Sequence, residues 1–492
     1  MNPQLARVAR VAMGLIVVLI AATTYWQTLA RPGLAARQDN EIQRVAEFEV
    51  KRGLILGPSR VLARNVPEKR SGKTYYLRRY PQGALTAAVV GYSTISRSRA
   101  GLERSMNGDL TGTDRALSDL VDQQLDELSG KPIVGDTVVT TLDLRAQRVA
   151  LDALGSNCGA VAALDPRTGR LLVMASSPTY NPNLVENHFE KIDKVTANCR
   201  PAAPLINRAT QGLYAPGSTF KVVTTSAALE SNRFTPDSTF YDPGYCTVYG
   251  KRVNNFDTSS PFGNVTLAQG LQHSVNSVFC NIGKALGAKR ILDQAKKFGF
   301  YERPPLETPD GERYPSGLYR NHELWYPARD QDVDAGRMAF GQERMLVTPL
   351  QMAMVAAGIG NAGIVMRPWV VEKIVSPQGK TVSRTRPERL DRAVGPVHAK
   401  QIEDMMVSVV QAGTGTAAQI SGFRIGGKTG TAETGRPGVN TTWFIAFAGR
   451  EGQRPEVAIA VALENQTSTG GETAAPIARE VMEAILRPPG NP

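Results

Sequence analysis

The first regular feature of the polar and apolar pattern is a run without formal charge, Val11 to Ala30, behind Arg7 and Arg10 and with Tyr25 and Trp26 near its far end. About 20 such residues suffice to span a bilayer, so residues 11–30 read as a transmembrane anchor. The arginines put residues 1–10 on the cytoplasmic side and the rest of the chain outside. The rival reading is a cleaved signal peptide, with Thr28-Leu29-Ala30 faintly like a cleavage site. Either reading exports the body of the protein.

Between residues 31 and 133 the pattern is mixed. It holds the basic-flanked Lys51-Arg-Gly-Leu-Ile55, the apolar run Ala84 to Tyr92, and helical spacing at Leu117, Leu120, Val121, Leu125 and Leu128. This predicts a small α/β pedestal with no recognisable chemical site. A boundary near Ser129–Asp136 opens a second domain, residues 134–487, before a frayed tail at 488–492. Thr137–Thr141 reads as a strand and Leu144–Leu154 as a helix. Ala160–Asp165 and Arg170–Ala175 read as strands joined by a tight turn. Apolar spacing predicts a helix from Ala268 to Leu286, interrupted around Ser274-Val-Asn276. Thr348-Pro-Leu-Gln351 has the cap and proline of a helix start, and that helix runs to about Gly358. Three strands follow, Arg424–Ala432, Thr442–Ala448 and Glu456–Leu463, and then a helix from Pro476 to Leu486. Strands at both ends with helices between them predict one sheet built from the two ends of the domain and covered by a helical insertion.

Composition changes this picture little. The 492 residues hold 57 Lys+Arg against 45 Asp+Glu, a net +12 spread along the chain. That basic bias suits a surface near anionic lipid or wall polymer, or is simply a solvated surface, and no nucleic-acid motif accompanies it. The four histidines lack metal-ligand spacing, so no metal is expected. The export signal permits disulfides among Cys158, Cys199, Cys246 and Cys280. Spacing does not choose among three pairings; Cys246 with Cys280 and Cys158 with Cys199 is the preferred set, with free buried thiols as the alternative.

The candidate chemistry begins at Tyr214-Ala-Pro-Gly-Ser-Thr-Phe-Lys221. Pro216 and Gly217 turn the chain, Ser218 suits a helix N-terminus, and no Gly or Pro interrupts Thr219–Glu230. Ser218 and Lys221 then share a helix face. A hydroxyl needs a nearby base to attack a carbonyl, and a lysine serves when burial or a neighbouring cation lowers its pKa. A lone Ser-x-x-Lys arises about once by chance in a chain this long. Two further motifs follow it in order, Ser274-Val-Asn276 and Lys428-Thr-Gly430.

Ser-x-x-Lys, Ser-x-Asn and Lys-Thr-Gly in this order resemble the signature of penicillin-binding proteins and class A β-lactamases. Gly159–Gly169, Asn207-Arg-Ala209, Phe340-Gly-Gln342, Val347–Gln351, Gly413–Thr416 and Gly427–Glu433 extend the resemblance over about residues 135–486, and they look like the transpeptidase domain of class B penicillin-binding proteins. With the anchor and short N-terminal domain, the chain is most similar to the penicillin-binding protein A group of actinobacteria. One departure is Arg52-Gly-Leu-Ile-Leu-Gly-Pro-Ser-Arg60, which lacks the family's usual Asp-Arg-Asn-Gly turn.

The resemblance implies an α+β fold: an antiparallel sheet with helices on both sides and an all-helical subdomain. It implies that Ser218 attacks a D-Ala-D-Ala peptide bond of a peptidoglycan stem peptide, with Lys221 taking its proton. Ser274, near Lys428, would pass a proton to the departing D-alanine, and Asn276 would hold the substrate and position Lys221. Thr429, Gly430 and Thr431 would line the substrate and bind its carboxylate, and the N–H groups of Ser218 and Thr431 would form the oxyanion hole. A second stem peptide's amine would resolve the acyl-enzyme, and β-lactams would acylate Ser218. No cofactor is implied. The alternatives are a D,D-carboxypeptidase, a β-lactamase, or a non-catalytic penicillin-recognising sensor or scaffold. A glycosyltransferase of the SEDS family is the implied partner of the anchor and pedestal.

Overall fold

The structure is a computed structural model that describes residues 3–26, 41–70, 72–113, 134–248, 250–255 and 260–487. The predicted helix over Leu117–Leu128, the Thr28–Ala30 site and the tail at 488–492 lie outside the described residues. The first helix spans Pro3–Thr24, with Val11, Leu15, Val18 and Ile20 exposed. Among the described residues no helix is long and apolar enough to cross a membrane.

A five-stranded antiparallel sheet organises the second part of the chain, in the order Phe423–Glu433, Asn440–Arg450, Val457–Gln466, Gly159–Leu164, Leu171–Ser177. It joins the two ends of that part, as the sequence pattern predicts. Gly159–Leu164, Trp443–Ala448 and Val457–Leu463 read as unbroken apolar runs because both faces are covered. Alternate residues divide between two cores, as the period of a strand requires. Ala160, Ala162, Ile445, Phe447, Ala458 and Ala460 face the core that holds the helix Pro349–Gly360. Val161, Ala163, Phe444, Ala446, Ile459 and Val461 face the helices Leu144–Leu154 and Gly470–Leu486.

A second sheet has six strands, ordered Thr381–Arg384, Val371–Val375, Thr137–Thr140, Ile55–Leu56, Val61–Arg70, Lys73–Arg79. The strand Thr137–Thr140 lies parallel to Ile55–Leu56 and antiparallel to Val371–Val375. It is therefore shared between the N-terminal region and the body. Behind this sheet Arg52 and Arg78 converge on Glu103, all fully buried. Arg78 Nε donates to one carboxylate oxygen at 2.6 Å and Arg52 Nη2 to the other at 3.0 Å. Arg52, the residue that opens the family-divergent segment, also donates to Asn107 at 2.6 Å.

Three expectations need correction. The subdomain between the sheet's two halves is not all-helical. It carries the two-stranded pairs Thr239–Asp242 with Gly263–Thr266 and Tyr245–Val248 with Lys251–Asn254, short runs whose alternation a helix scan passes over. The apolar run Ala84–Tyr92, to which the sequence pattern assigns no element, contains a 3-10 turn, Gly83–Thr86, and a single helical turn, Ala87–Val90. The last helix starts at Gly470, not Pro476, because Thr469 and Glu472 form a reciprocal capping box and Pro476 sits inside the helix. Ser218 does not cap an α-helix either: it lies in the 3-10 turn Gly217–Phe220, ahead of the helix Lys221–Glu230.

Candidate active site

The turn that carries Ser218 is shaped by close packing on three sides. Gly217 has φ +51°, and its N–H donates to the Gly341 carbonyl at 3.1 Å. A side chain at Gly341 would lie 1.9 Å from the Gly217 carbonyl oxygen, so the Phe340-Gly-Gln342 segment is glycine-bearing because the Ser218 turn rests on it. Trp443, fully buried, donates its indole N–H to the Ala215 carbonyl at 2.9 Å. Tyr214 pairs with Val347 through two backbone bonds and gives its hydroxyl to Glu464 at 2.7 Å, which Arg208 also binds at 2.9 Å. In a 3-10 turn residues three apart eclipse, so the turn stacks Ser218 over Lys221 more directly than an α-helix would. Ser218 itself is half-buried.

Lys221 is fully buried, and its ammonium donates to three oxygens: Ser274 O at 2.7 Å, Ser274 Oγ at 3.1 Å and Asn276 Oδ1 at 2.8 Å. Lys428 Nζ reaches the same Ser274 Oγ at 2.9 Å from the opposite side and also donates to the Thr429 carbonyl at 3.0 Å. One hydroxyl thus sits between two amines. Burial, and after it the Lys428 charge, holds the Lys221 amine well below its ordinary value. Burial alone brings Lys428 down to about 7. Lys428 can therefore shed and regain a proton near neutral pH, and Lys221 is a weaker base than an exposed lysine, which favours its neutral amine.

Ser274 stands at φ +60° in the break between the helices Leu267–Gln272 and Asn276–Leu286. The predicted interruption is therefore the place where the chain reverses to aim the serine at both lysines. Asn276 opens the second helix and gives its other amide atom, Nδ2, to the Asn254 carbonyl at 3.0 Å. The disulfide Cys246–Cys280 ties that helix to the strand Tyr245–Val248, and Cys158–Cys199 closes the second preferred pair.

The strand Phe423–Glu433 runs along the cleft beside the turn. A side chain at Gly430 would come within 2.9 Å of the Pro216 carbonyl oxygen, and one at Gly217 within 2.9 Å of the Thr431 carbonyl oxygen. Thr431 backbone therefore adjoins the Ser218 turn. Thr429 is 7% exposed, with its hydroxyl 2.6 Å from that of Thr414, and Thr431 accepts the Gly470 N–H at 3.3 Å. Hydrogen bonds thus bring together Lys221, Ser274, Asn276 and Lys428 of the residues named in the sequence, and close packing sets the Ser218 turn against Gly430 and Thr431. Glu464 and Asp242 belong to no motif named in the sequence, and Thr414 enters only as part of the Gly413–Thr416 stretch. Thr414 and Glu464 are joined to the motifs only by folding, although Thr414 lies in a glycine-flanked loop and Tyr214 opens the nucleophile segment.

A family model for the penicillin-binding protein transpeptidase domain matches residues 159–483, and one for the penicillin-binding protein A dimerisation domain matches residues 52–138. The chain belongs to the penicillin-binding protein transpeptidase family. Within it, the chain is 36% identical to the peptidoglycan D,D-transpeptidase PbpA of Mycolicibacterium smegmatis, with 99% of each chain covered. The PbpA of Mycobacterium tuberculosis is 35% identical, again over 99% of both. Solved structures agree. The ceftriaxone acyl-enzyme complex of M. tuberculosis penicillin-binding protein A superposes with a TM-score of 0.80 at 32% identity, over 90% of this chain and 100% of that one. A D,D-transpeptidase domain from Eggerthella lenta gives 0.75 at 31%, over 89% and 98%. The likeness to the penicillin-binding protein A group therefore holds over nearly the full length of this family member.

Proposed function

We propose that this chain is a serine D,D-transpeptidase of peptidoglycan, and the observation that carries the reading is the Ser274 hydroxyl held between the amines of Lys221 and Lys428 beside the Ser218 turn. Ser218 Oγ attacks the carbonyl carbon between the two terminal D-alanines of a stem peptide while neutral Lys221 takes its proton. Ser274 passes a proton, drawn from Lys428 or Lys221, to the departing D-alanine nitrogen. The backbone N–H groups of Ser218 and Thr431 hold the developing oxyanion, Thr429 and Thr431 with Lys428 hold the terminal carboxylate, and Asn276 holds the peptide group. The amine of a second stem peptide then attacks the ester, forms the cross-link and frees Ser218. A β-lactam acylates Ser218 by the same first step.

The exposed apolar side chains from Val11 to Trp26 support a single-pass anchor with a cytoplasmic N-terminus and an extracytoplasmic catalytic domain at the cell membrane. On this reading residues 31–133 form the pedestal that a SEDS-family glycosyltransferase docks against. The test uses the full-length chain in detergent with a fluorescent penicillin. Persistent labelling that vanishes in Ser218→Ala is expected. Labelling that survives the substitution would overturn the site, and label that is rapidly released would indicate a β-lactamase.

A further inference from the structure

Behind the Ser274–Asn276 segment lies a carboxylate that the reaction steps do not use. Asp242 ends the strand Thr239–Asp242 and is 0% exposed, with no lysine or arginine bonded to it among the described residues. Five bonds from neutral donors surround it. Ser277 Oγ donates at 2.5 Å, the Asn255 amide at 2.9 Å to each oxygen, and the backbone N–H groups of Gly244 and Phe262 at 2.9 and 3.0 Å. Burial pushes the carboxyl pKa up, but these bonds outweigh it and the net shift is down, so the group stays an acceptor on both oxygens.

The partners of Asp242 are the sequence neighbours of the residues that hold Asn276. Ser277 follows Asn276, and Asn255 follows Asn254, whose carbonyl accepts the Asn276 amide. Asn255 Oδ1 in turn accepts the Ser277 backbone N–H at 3.1 Å, which closes a ring of Asp242, Asn255 and Ser277. This ring locks the first turn of the helix Asn276–Leu286 against the strand Lys251–Asn254. It thereby fixes which end of the Asn276 amide faces Lys221: the oxygen, because the nitrogen is claimed by Asn254. The Cys246–Cys280 bridge ties the same helix, one turn further along, to Tyr245–Val248, the strand paired with Lys251–Asn254.

We propose that Asp242 is a positioning residue for acyl transfer, setting through Ser277 and Asn255 the place and orientation in which Asn276 and Ser274 meet Lys221. The inference rests on the Ser218 acyl-enzyme reading. Asp242→Asn keeps the shape but turns an amide N–H2 group toward donors that have nowhere else to point.

The experiment follows acylation of the full-length chain by a fluorescent penicillin over time, across penicillin concentrations, for wild type, Asp242→Asn, Ser277→Ala and Ser218→Ala. Misplacing a reacting group by about 1 Å lowers rates on the order of 10²-fold. The first-order rate at saturation should fall by about that factor in Asp242→Asn, with the half-saturation concentration and final labelled fraction unchanged. A purely structural role would instead lower the labelled fraction at an unchanged rate, and that result, or wild-type kinetics, overturns the proposal. If Asp242→Asn does not accumulate, Ser277→Ala decides: a slowed rate supports the proposal and an unchanged rate overturns it. Labelling of Ser218→Ala would sink the functional reading itself, whereas a dark Ser218→Ala beside an Asp242→Asn of normal rate removes only this inference.

Discussion

Arg52 and Arg78 in the pedestal and Lys221 and Lys428 in the cleft are all buried, but only the arginines have a carboxylate beside them. Burying a cation is expensive, and a protein has two ways to lower the penalty: pair the charge or let the proton go. The pedestal pairs. Burial lowers Arg52 to about 10 even with Glu103 in support, which leaves it charged at neutral pH, and arginine is a poor acid in any setting. Burial raises the Glu103 pKa, but Arg78 and Arg52 outweigh it and hold the carboxyl below its ordinary value. The cleft lets go. Its lysines hydrogen-bond to hydroxyl, amide and carbonyl oxygens, with no carboxylate among these partners, and burial holds their pKa values below the ordinary one. The same physical problem thus yields a fixed structural knot in one region and, in the other, a pair of lysines whose pKa values are lowered.

The strongest way to break the comparison is to give the cleft a pedestal-type cation. Lys221→Arg should lower penicillin acylation by about 10²–10⁴-fold, the range that a general base contributes, because a guanidinium does not give up its proton. The converse change removes the pairing from the pedestal. Glu103→Gln leaves two buried guanidinium groups without a counter-charge and should destabilise the protein by about 3–5 kcal/mol, read from denaturant unfolding. Molecules that remain folded should acylate at the normal rate. A loss of acylation rate there would mean that the pedestal knot acts on the cleft.

A smaller effect separates the two regions by pH. The folded pKa of Lys428, about 7, lies below its ordinary 10.5, so between these values the unfolded chain binds more protons than the folded one. Stability must then rise with pH through that window. Each lysine shifted in this way contributes on the order of 1 kcal/mol per pH unit. Melting curves of wild type between pH 7 and 9 should show the rise, and Lys428→Met should flatten its share of it. The arginine knot contributes no such slope over the same range, since its guanidinium groups stay charged. A wild-type curve that falls from pH 7 to 9 would place the lysine protons differently from this account.

Much of this contrast was legible in the sequence, and the missing part has a common cause. Ser218, Lys221, Ser274, Asn276 and Lys428 carry local signals: a turn before a helix, a break between helices, glycines in a strand. The strands Gly159–Leu164 and Asn440–Arg450 were legible as unbroken apolar runs because both of their faces are buried. The capping box of Thr469 and Glu472 was also local, and Pro476 drew attention away from it. Asp242 and Glu464 left no such trace. Their partners lie 35 and 250 residues away in sequence, at Ser277 and Tyr214, and no periodicity records a contact made only on folding. Arg52 and Arg78 were invisible for the same reason, since a buried arginine looks like an exposed one until its carboxylate is found.

The smallest expected effect concerns the hydroxyls that finish the cleft. In the pedestal Glu103 has its oxygens occupied by arginines, whereas Thr429 has a single side-chain partner, Thr414, at 2.6 Å. A hydroxyl can give one hydrogen bond and accept others, so Thr429 keeps capacity for a substrate carboxylate while Thr414 fixes its rotamer. Thr414→Val removes that one bond at an exposed position and keeps the shape. A neutral hydrogen bond contributes about 1 kcal/mol net. The half-saturation concentration for penicillin should therefore rise by about five-fold, with the first-order acylation rate at saturation nearly unchanged. If the rate fell and the half-saturation stayed constant, Thr429 would be acting on the lysine–serine relay instead of on the bound carboxylate, and the cleft would be as tightly interlocked as the pedestal knot.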